Sequence, residues 1–210
     1  MIITSVNIGQ ATEIIWNGET IETGIFKSPV QKIELEMTDV KNDNVIDKLY
    51  HGGIEKACYL YSEDHYDYWK SLYPTLDFNF GMFGENITIK GLDERTIMIG
   101  DIYRIGGATV QVTQPRQPCF KLGLVFKTQK ILKQFINSNY PGIYLKVLEG
   151  NCVKPGDSME LIERQHNSMS VKEIYRLLYD KKPNEEDLEF AISINTLANS
   201  CKKSLMKRLK

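Results

Sequence analysis

Apolar and polar residues alternate one for one in run after run of the first 164 residues, and a chain patterned that way builds a sheet with one buried face. Ile33, Leu35 and Met37 share a face against Lys32, Glu34 and Glu36, and Ala108, Val110 and Val112 alternate with Thr109, Gln111 and Thr113. Ile87 with Ile89, and Ile143 with Leu145 and Val147, repeat the pattern. Glycines punctuate these runs at Gly52-Gly53, Gly81 and Gly84, and Gly106-Gly107, where a sheet must turn tightly or curl on itself. Residues 1–164 therefore read as a mainly β domain.

Helices interrupt it twice. Glu63 to Leu72 follows Ser62, an N-cap residue type, and spaces Tyr66, Trp69 and Tyr73 to pack onto the sheet. A second helical stretch starts near Cys119 and, after a break, runs through Ile131, Leu132, Phe135 and Ile136, ending before Pro141. Past about Arg164 the period changes. Ser170 to Glu173 is a capping box, with Val171, Ile174, Leu177 and Leu178 on one apolar face. Asn184 precedes an acidic first turn of Glu185, Glu186 and Asp187, which suits the helix dipole. A last helix sets Cys201, Leu205 and Leu209 on one face among Lys202, Lys203, Lys207, Arg208 and Lys210, a cationic end that complements its own dipole. Residues 165–210 thus form a three-helix appendage, too small to hold a core alone and expected to dock on the β domain.

Charge and composition exclude several classes of function. Against 27 Asp and Glu stand 26 Lys and Arg, a net charge of −1, so the chain lacks the cationic excess that duplex nucleic acid or an anionic membrane surface requires. No stretch nears the ~18 consecutive apolar residues of a membrane span. Met1 to Glu13 has no cationic region followed by an apolar core, and the expectation is a cytoplasmic protein. Cys58, Cys119, Cys152 and Cys201 form no CxxC pair and have no histidines at zinc-finger spacing, which argues against a structural zinc site or a disulfide framework.

The residues with the strongest chemical signal lie in Gln114-Pro-Arg-Gln-Pro-Cys119-Phe-Lys-Leu122. Two prolines stiffen the exit from a strand and present Cys119 at a helix start, with Arg116 and Lys121 adding positive charge. Such surroundings favour a thiolate, the form that binds soft metals or attacks electrophiles. The competing reading is a small buried hydrophobe, which is retained for Cys58, Cys152 and Cys201. In His51-Gly52-Gly53 the glycine amides suit an anion, or simply a tight turn. Glu85 and Asn86, after Gly81-Met-Phe-Gly84, suit a heterocycle or the capping of their own loop. Lys27 and Ser28 suit a phosphate, or an exposed lysine that is merely solvated.

Taken in order, KSPV (27–30), HGG with Lys56 three residues on, EDHYDYW (63–69), FGEN-I-T (83–88), Gly100-Asp101 and PRQPC-KL (115–122) resemble the MOSC domain first described at the C-terminus of molybdenum cofactor sulfurases. The pattern is similar in particular to the stand-alone bacterial branch that contains the 6-N-hydroxylaminopurine reductases, where three helices follow the barrel. It extends from about Trp16 to the C-terminal helices. The resemblance implies a closed, mixed β-barrel with helices at its rim, Cys119 as the protein's sulfur ligand to molybdenum, and a molybdenum cofactor (molybdopterin). Lys27, Ser28, Asn86 and Arg116 would grip its phosphate and pterin, with His51, Gly52 and Gly53 shaping the pocket. It further implies reduction of a small N-hydroxylated substrate, with His51 or His65 as the acid. Because the chain has no flavin or iron–sulfur motif, the electrons would come from a separate donor protein. A homo-oligomer is compatible with it. Val45-Ile46 replaces the Gln-Ala that usually precedes the aspartate at this point, taking polar side chains out of that segment. Two other readings use the same residues: a sulfur carrier or cofactor-handling protein acting through a Cys119 persulfide, and a non-catalytic module whose helical tail docks a partner.

Overall fold

The computed structural model describes residues 1–46 and 52–209. The N-terminal strands are β1 (Ile2–Gly9), β2 (Thr12–Trp16), β3 (Glu19–Thr23), β4 (Lys27–Val30), β5 (Ile33–Glu34) and β6 (Cys58–Ser62), and helix α1 (Tyr66–Leu72) follows. Then come β7 (Ile87–Lys90), β8 (Ile102–Ile105), β9 (Ala108–Pro115), α2 (Phe120–Val125), α3 (Lys130–Ser138), β10 (Ile143–Glu149), β11 (Cys152–Val153) and β12 (Met159–Glu163). Three helices end the chain, α4 (Val171–Tyr179), α5 (Glu185–Ser193) and α6 (Asn199–Met206).

Eight strands make one mixed sheet in the order β12-β8-β9-β10-β6-β7-β1-β4. The β6–β7 pair is parallel, and β9 runs antiparallel to β10 with Val110 opposite Val147 and Val112 opposite Leu145. These residues, with Ala108 and Ile143, are fully buried, as the alternation requires. Met37 departs from that pattern. β5 stops at Glu34, the chain turns where the Glu36 amide donates to the Asp39 carbonyl, and Met37 is left 50% exposed.

The closed barrel is corrected to a curled, open sheet. β1 pairs with β7 through Ile2–Val6 on one edge and with β4 through Val6–Gly9 on the other. The first half of that second edge meets the segment leading into β12, through Ile3 N–H to the Asp157 carbonyl (2.9 Å), Gly156 N–H to the Ile3 carbonyl (2.8 Å) and a lone bridge between Ile2 and Ser158. Because β4 occupies the rest of the edge, among the described residues no ladder joins β12 to β1 or β4.

One face of the sheet carries an aromatic cluster in which Tyr61, Trp69, Phe83, Phe126 and Phe135 are buried together, and the Trp69 indole donates to the Tyr61 hydroxyl at 2.6 Å. The Tyr66 and Trp69 side chains of α1 supply its outer layer, while Ser62 bonds to Asp64 and the Leu92 carbonyl instead of capping the turn at Glu63–His65 with its side chain. The other face shares its core with the C-terminal helices, whose Val171, Ile174, Leu188, Ala191 and Cys201 are buried with Val110, Val112 and Ile99. No helix among the described residues is long and apolar enough to cross a membrane.

The capping box at α4 forms as its residues specify. The Glu173 amide donates to the Ser170 hydroxyl (3.2 Å) and the Ser170 amide to the Glu173 carboxylate (2.7 Å). Ser170→Ala removes one acceptor from an orphan helix amide and should lower unfolding free energy by about 1 kcal/mol. A fall in thermal midpoint of roughly 2–4 °C is expected in calorimetry, and no change would mean that water replaces the cap.

Candidate functional site

A pocket opens where the root of the β2–β3 hairpin, the 44–46 segment, the turn before β6 and the loop between β9 and α2 converge. It is lined by Lys27, Lys56, Arg116, Cys119 and Lys121, together with Gly52, Gly84, Tyr59 and Tyr144. The Lys27 charge is met by Asp43, and Lys56, Arg116 and Lys121 around one thiol give the pocket an anion-attracting character.

Cys119 enters through the rigid exit from β9. Its backbone is extended (φ −121°, ψ 166°) at the start of α2, its carbonyl accepts the Leu122 amide at 3.0 Å, and its side chain is half-buried. Arg116 is almost completely buried. Its guanidinium donates to the Phe83 carbonyl and lies over the rings of Tyr59 (5.0 Å) and Phe135 (5.6 Å). Two π faces and a carbonyl compensate its desolvation and fix its direction. The Tyr59 hydroxyl donates to the Pro141 carbonyl at 2.8 Å, and burial pushes its pKa well above the ordinary value.

Lys27 is brought to the pocket with its charge already engaged. Its ammonium pairs with Asp43, the two side chains being 7% and 1% exposed. The other bonds to this carboxylate come from the Gly9 amide (2.7 Å) and the Asn86 side-chain amide (2.9 Å). Asn86 is a junction in its own right, since its side-chain oxygen accepts the Tyr59 amide at 3.2 Å. Burial lowers the Lys27 pKa despite Asp43, and burial likewise lowers that of Lys56.

The other residues singled out by the sequence are distributed differently. Ser28 pairs opposite Ile8 in the β1–β4 ladder, is exposed, and lies on the other side of β4 from Lys27, because neighbours in a strand point to opposite faces. Gly52 lines the pocket and Gly53 begins the turn at Ile54–Lys56. His51, and Asp47, the aspartate that follows Val45-Ile46, lie outside the described residues. His65 faces a different pocket, bonded to the Glu94 carboxylate (3.2 Å) and stacked on Tyr140 with ring centroids 3.9 Å apart. Glu85 is wholly buried and caps its own loop, accepting the amides of Gly81 (2.8 Å) and Phe83 (3.0 Å) and the hydroxyls of Tyr66 and Thr88. Asp101 joins the Met98 and Gln165 amides and Arg164, a structural knot rather than part of the pocket. Of the remaining cysteines, Cys58 and Cys201 are buried and Cys152 is exposed.

Asp43 and the β2–β3 hairpin are absent from the sequence reading. The hairpin had a signal, since Asn17-Gly18 (φ 52° and 85°) joins two alternating runs and is the residue pair that a two-residue hairpin turn demands. Its root needs Gly24, where an added Cβ would come within 1.7 Å of the Asn44 carbonyl oxygen. The C-terminal helices bond to chain neighbours of the pocket-lining residues. Glu55, beside Lys56, accepts the Asn199 backbone amide at 3.0 Å at the start of α6, and the Ser200 hydroxyl donates to Gln114 at 2.9 Å.

Among the described residues no three His, Cys, Asp or Glu side chains cluster as a metal cage. Among the described residues, Cys119 is therefore not part of a ready-made protein cage for a metal. A soft thiol, surrounding cations and glycine backbone on two sides fit an anionic, sulfur-rich metal cofactor.

Comparison with known proteins places the chain in a family. Residues 47–160 match the MOSC domain, and residues 169–210 match the YiiM-like, 3-alpha helix domain. Over 207 residues the chain is 35% identical to the uncharacterized protein YflK of Bacillus subtilis, covering 98% of this chain and 93% of that one. A protein of Gibberella moniliformis named a reductase is 34% identical over 131 residues, 61% of this chain and 23% of that longer protein. The crystal structure of YiiM from Geobacillus stearothermophilus superposes with a TM-score of 0.82 at 31% identity, covering 99% of this chain and 98% of that one.

Proposed function

From a chain that belongs to the MOSC domain family and carries a YiiM-like three-helix domain, we propose a molybdenum-cofactor-dependent reductase of N-hydroxylated bases and related N-oxygenated compounds. The observation that carries this reading is the Cys119 thiol in a pocket lined by Lys27, Lys56, Arg116 and Lys121. When bound, the cofactor supplies two-electron redox chemistry, so that an N-hydroxyl group, two electrons and two protons give an amine N–H and water.

Each residue has its own part in this. Cys119 holds the metal through sulfur, a match of soft donor to soft partner. Arg116 presents a guanidinium whose direction is fixed by Tyr59, Phe135 and the Phe83 carbonyl, suited to a phosphate or a pterin carbonyl. Lys121 and Lys56 add charge at the same pocket. Lys27 sets the floor by pinning Asp43, which in turn orients Asn86. His65 lies in another pocket, which leaves as acids on this reading His51, outside the described residues, and Lys56 in the pocket lining, whose pKa burial lowers. Electrons come from a separate donor protein.

The test is molybdenum content by elemental mass spectrometry of wild type and Cys119→Ala, both made in cells that synthesise the cofactor. Near-stoichiometric metal in wild type and a fall of at least tenfold in the variant are expected. Freshly isolated wild type without molybdenum, but with cyanide-labile sulfur on Cys119, would replace this reading with sulfur transfer.

A further inference from the structure

The β2–β3 hairpin forms a two-stranded sheet of its own, outside the eight-stranded ladder. Its root lines the pocket at Thr23 and Gly24. Its tip, four residues along β3 and so roughly 13–14 Å away, places Trp16 against Phe120, with ring centroids 5.9 Å apart and planes inclined at 31°. Phe120 follows Cys119 directly. The hairpin thus runs from one wall of the pocket to the residue that follows Cys119.

Cross-strand register sorts its side chains. Ile14 opposite Ile21, and Thr12 opposite Thr23, share a face with Trp16, whereas Ile15 points the other way and is 80% exposed. The inner face therefore ends in Trp16, half-buried, against a Phe120 that is 39% exposed. Neither ring belongs to the buried aromatic cluster. Neither ring is fully covered, Phe120 adjoins Cys119 in the chain, and an exposed aromatic face stacks flat heterocycles.

We propose that Trp16 and Phe120 form a stacking edge that selects planar aromatic N-hydroxylated bases over small aliphatic N-hydroxy compounds. The ring system lies against Trp16 while its N–O group reaches the Cys119 side of the pocket. Trp16 is a specificity-determining residue on this view, and the assignment rests on the reductase reading above.

Two measurements test it on the intact, molybdenum-loaded protein with a chemical or protein electron donor. In steady-state kinetics, Trp16→Ala should raise KM for 6-N-hydroxylaminopurine about 10-fold or more, with kcat changed less than 2-fold. The kcat/KM for N-hydroxyurea should stay at its wild-type value, and Trp16→Phe should restore most of the loss. In equilibrium titration, adenine should quench tryptophan emission of the wild type and fail to quench Trp16→Ala, since the remaining Trp69 is wholly buried and bonded to Tyr61. Equal losses for both substrates, an unchanged KM for the purine, or undiminished quenching in Trp16→Ala would overturn the stacking edge. Should the loaded wild type reduce neither compound, the reductase reading fails. The quenching titration then decides the stacking edge by itself.

Discussion

Lys27→Met should destabilise the protein by about 3–5 kcal/mol, the cost of leaving a buried carboxylate without its counter-charge. Asp43 has a side chain 1% exposed and two neutral N–H donors, the Gly9 amide and Asn86, neither of which carries charge. Thermal unfolding should drop by on the order of 10 °C. The pair itself contributes far less than that figure, because burial already depresses the Lys27 pKa in spite of Asp43, which means that desolvation outweighs the attraction. Lys27→Met with Asp43→Asn should therefore recover more than half of the loss, since the carboxamide oxygen still accepts from Gly9 and the side chain brings no charge. A single variant within 1 kcal/mol of wild type, or a double variant no more stable than the single, would show that the pair is solvated in solution.

This ion pair also ties three separate parts of the chain at the pocket floor, since Lys27 is in β4, Asp43 precedes the 44–46 segment and Asn86 precedes β7. Loss of Asp43 leaves the Asn86 amide its longer bond to the Asn7 carbonyl (3.4 Å) and loosens the side chain whose oxygen orders the Tyr59 amide and with it the ring under Arg116. Stability and the aim of the Arg116 guanidinium are coupled through one carboxylate.

That coupling was not legible in the sequence, for a physical reason. Asp43 lies 16 residues from Lys27 and 43 from Asn86, and nothing in its neighbourhood distinguishes it from a solvated loop acid. What alternation can report is burial along one strand, so the faces of β9 and β10 were readable from Val110, Val112, Leu145 and Val147. It cannot report where a strand stops, and the alternation extends to Met37 although the strand ends at Glu34. Motif resemblance behaved in the same way at shorter range. It carries blocks of residues such as Lys27-Ser28, whereas strand parity sends Lys27 to the pocket and Ser28 to the opposite face. The Glu85 loop cap was one of two readings available beforehand, and choosing between them needed the Gly81 and Phe83 amides in place.

Raising the pH past 10 should unfold the protein in a single cooperative step. Tyr59, Tyr61, Tyr66 and Tyr175 are held well above the ordinary phenol value of 10.0, and Tyr144 is pushed up to about 12, in each case chiefly by burial. At Tyr66 the Glu85 carboxylate adds to the effect. A group whose folded pKa is raised contributes its full stability below the unfolded pKa and loses it as pH climbs beyond. Each of these five phenols therefore favours the unfolded chain by roughly 1.4 kcal/mol for every pH unit above 10. By pH 11 the five together remove about 7 kcal/mol, which is comparable to the whole stability of an ordinary domain. Lys27 and Lys56 act in the opposite sense, because burial lowers their pKa and folding gains as they lose protons, but that gain is complete once pH passes their unfolded value of 10.5. Absorbance at 295 nm and far-ultraviolet circular dichroism, followed from pH 9 to 12, should change together for these residues, with a midpoint between 10 and 11.5. Gradual ionisation of all eleven tyrosines near pH 10 with dichroism intact would mean that the aromatic layer beneath Arg116 admits water, and that the guanidinium is not held against dry rings.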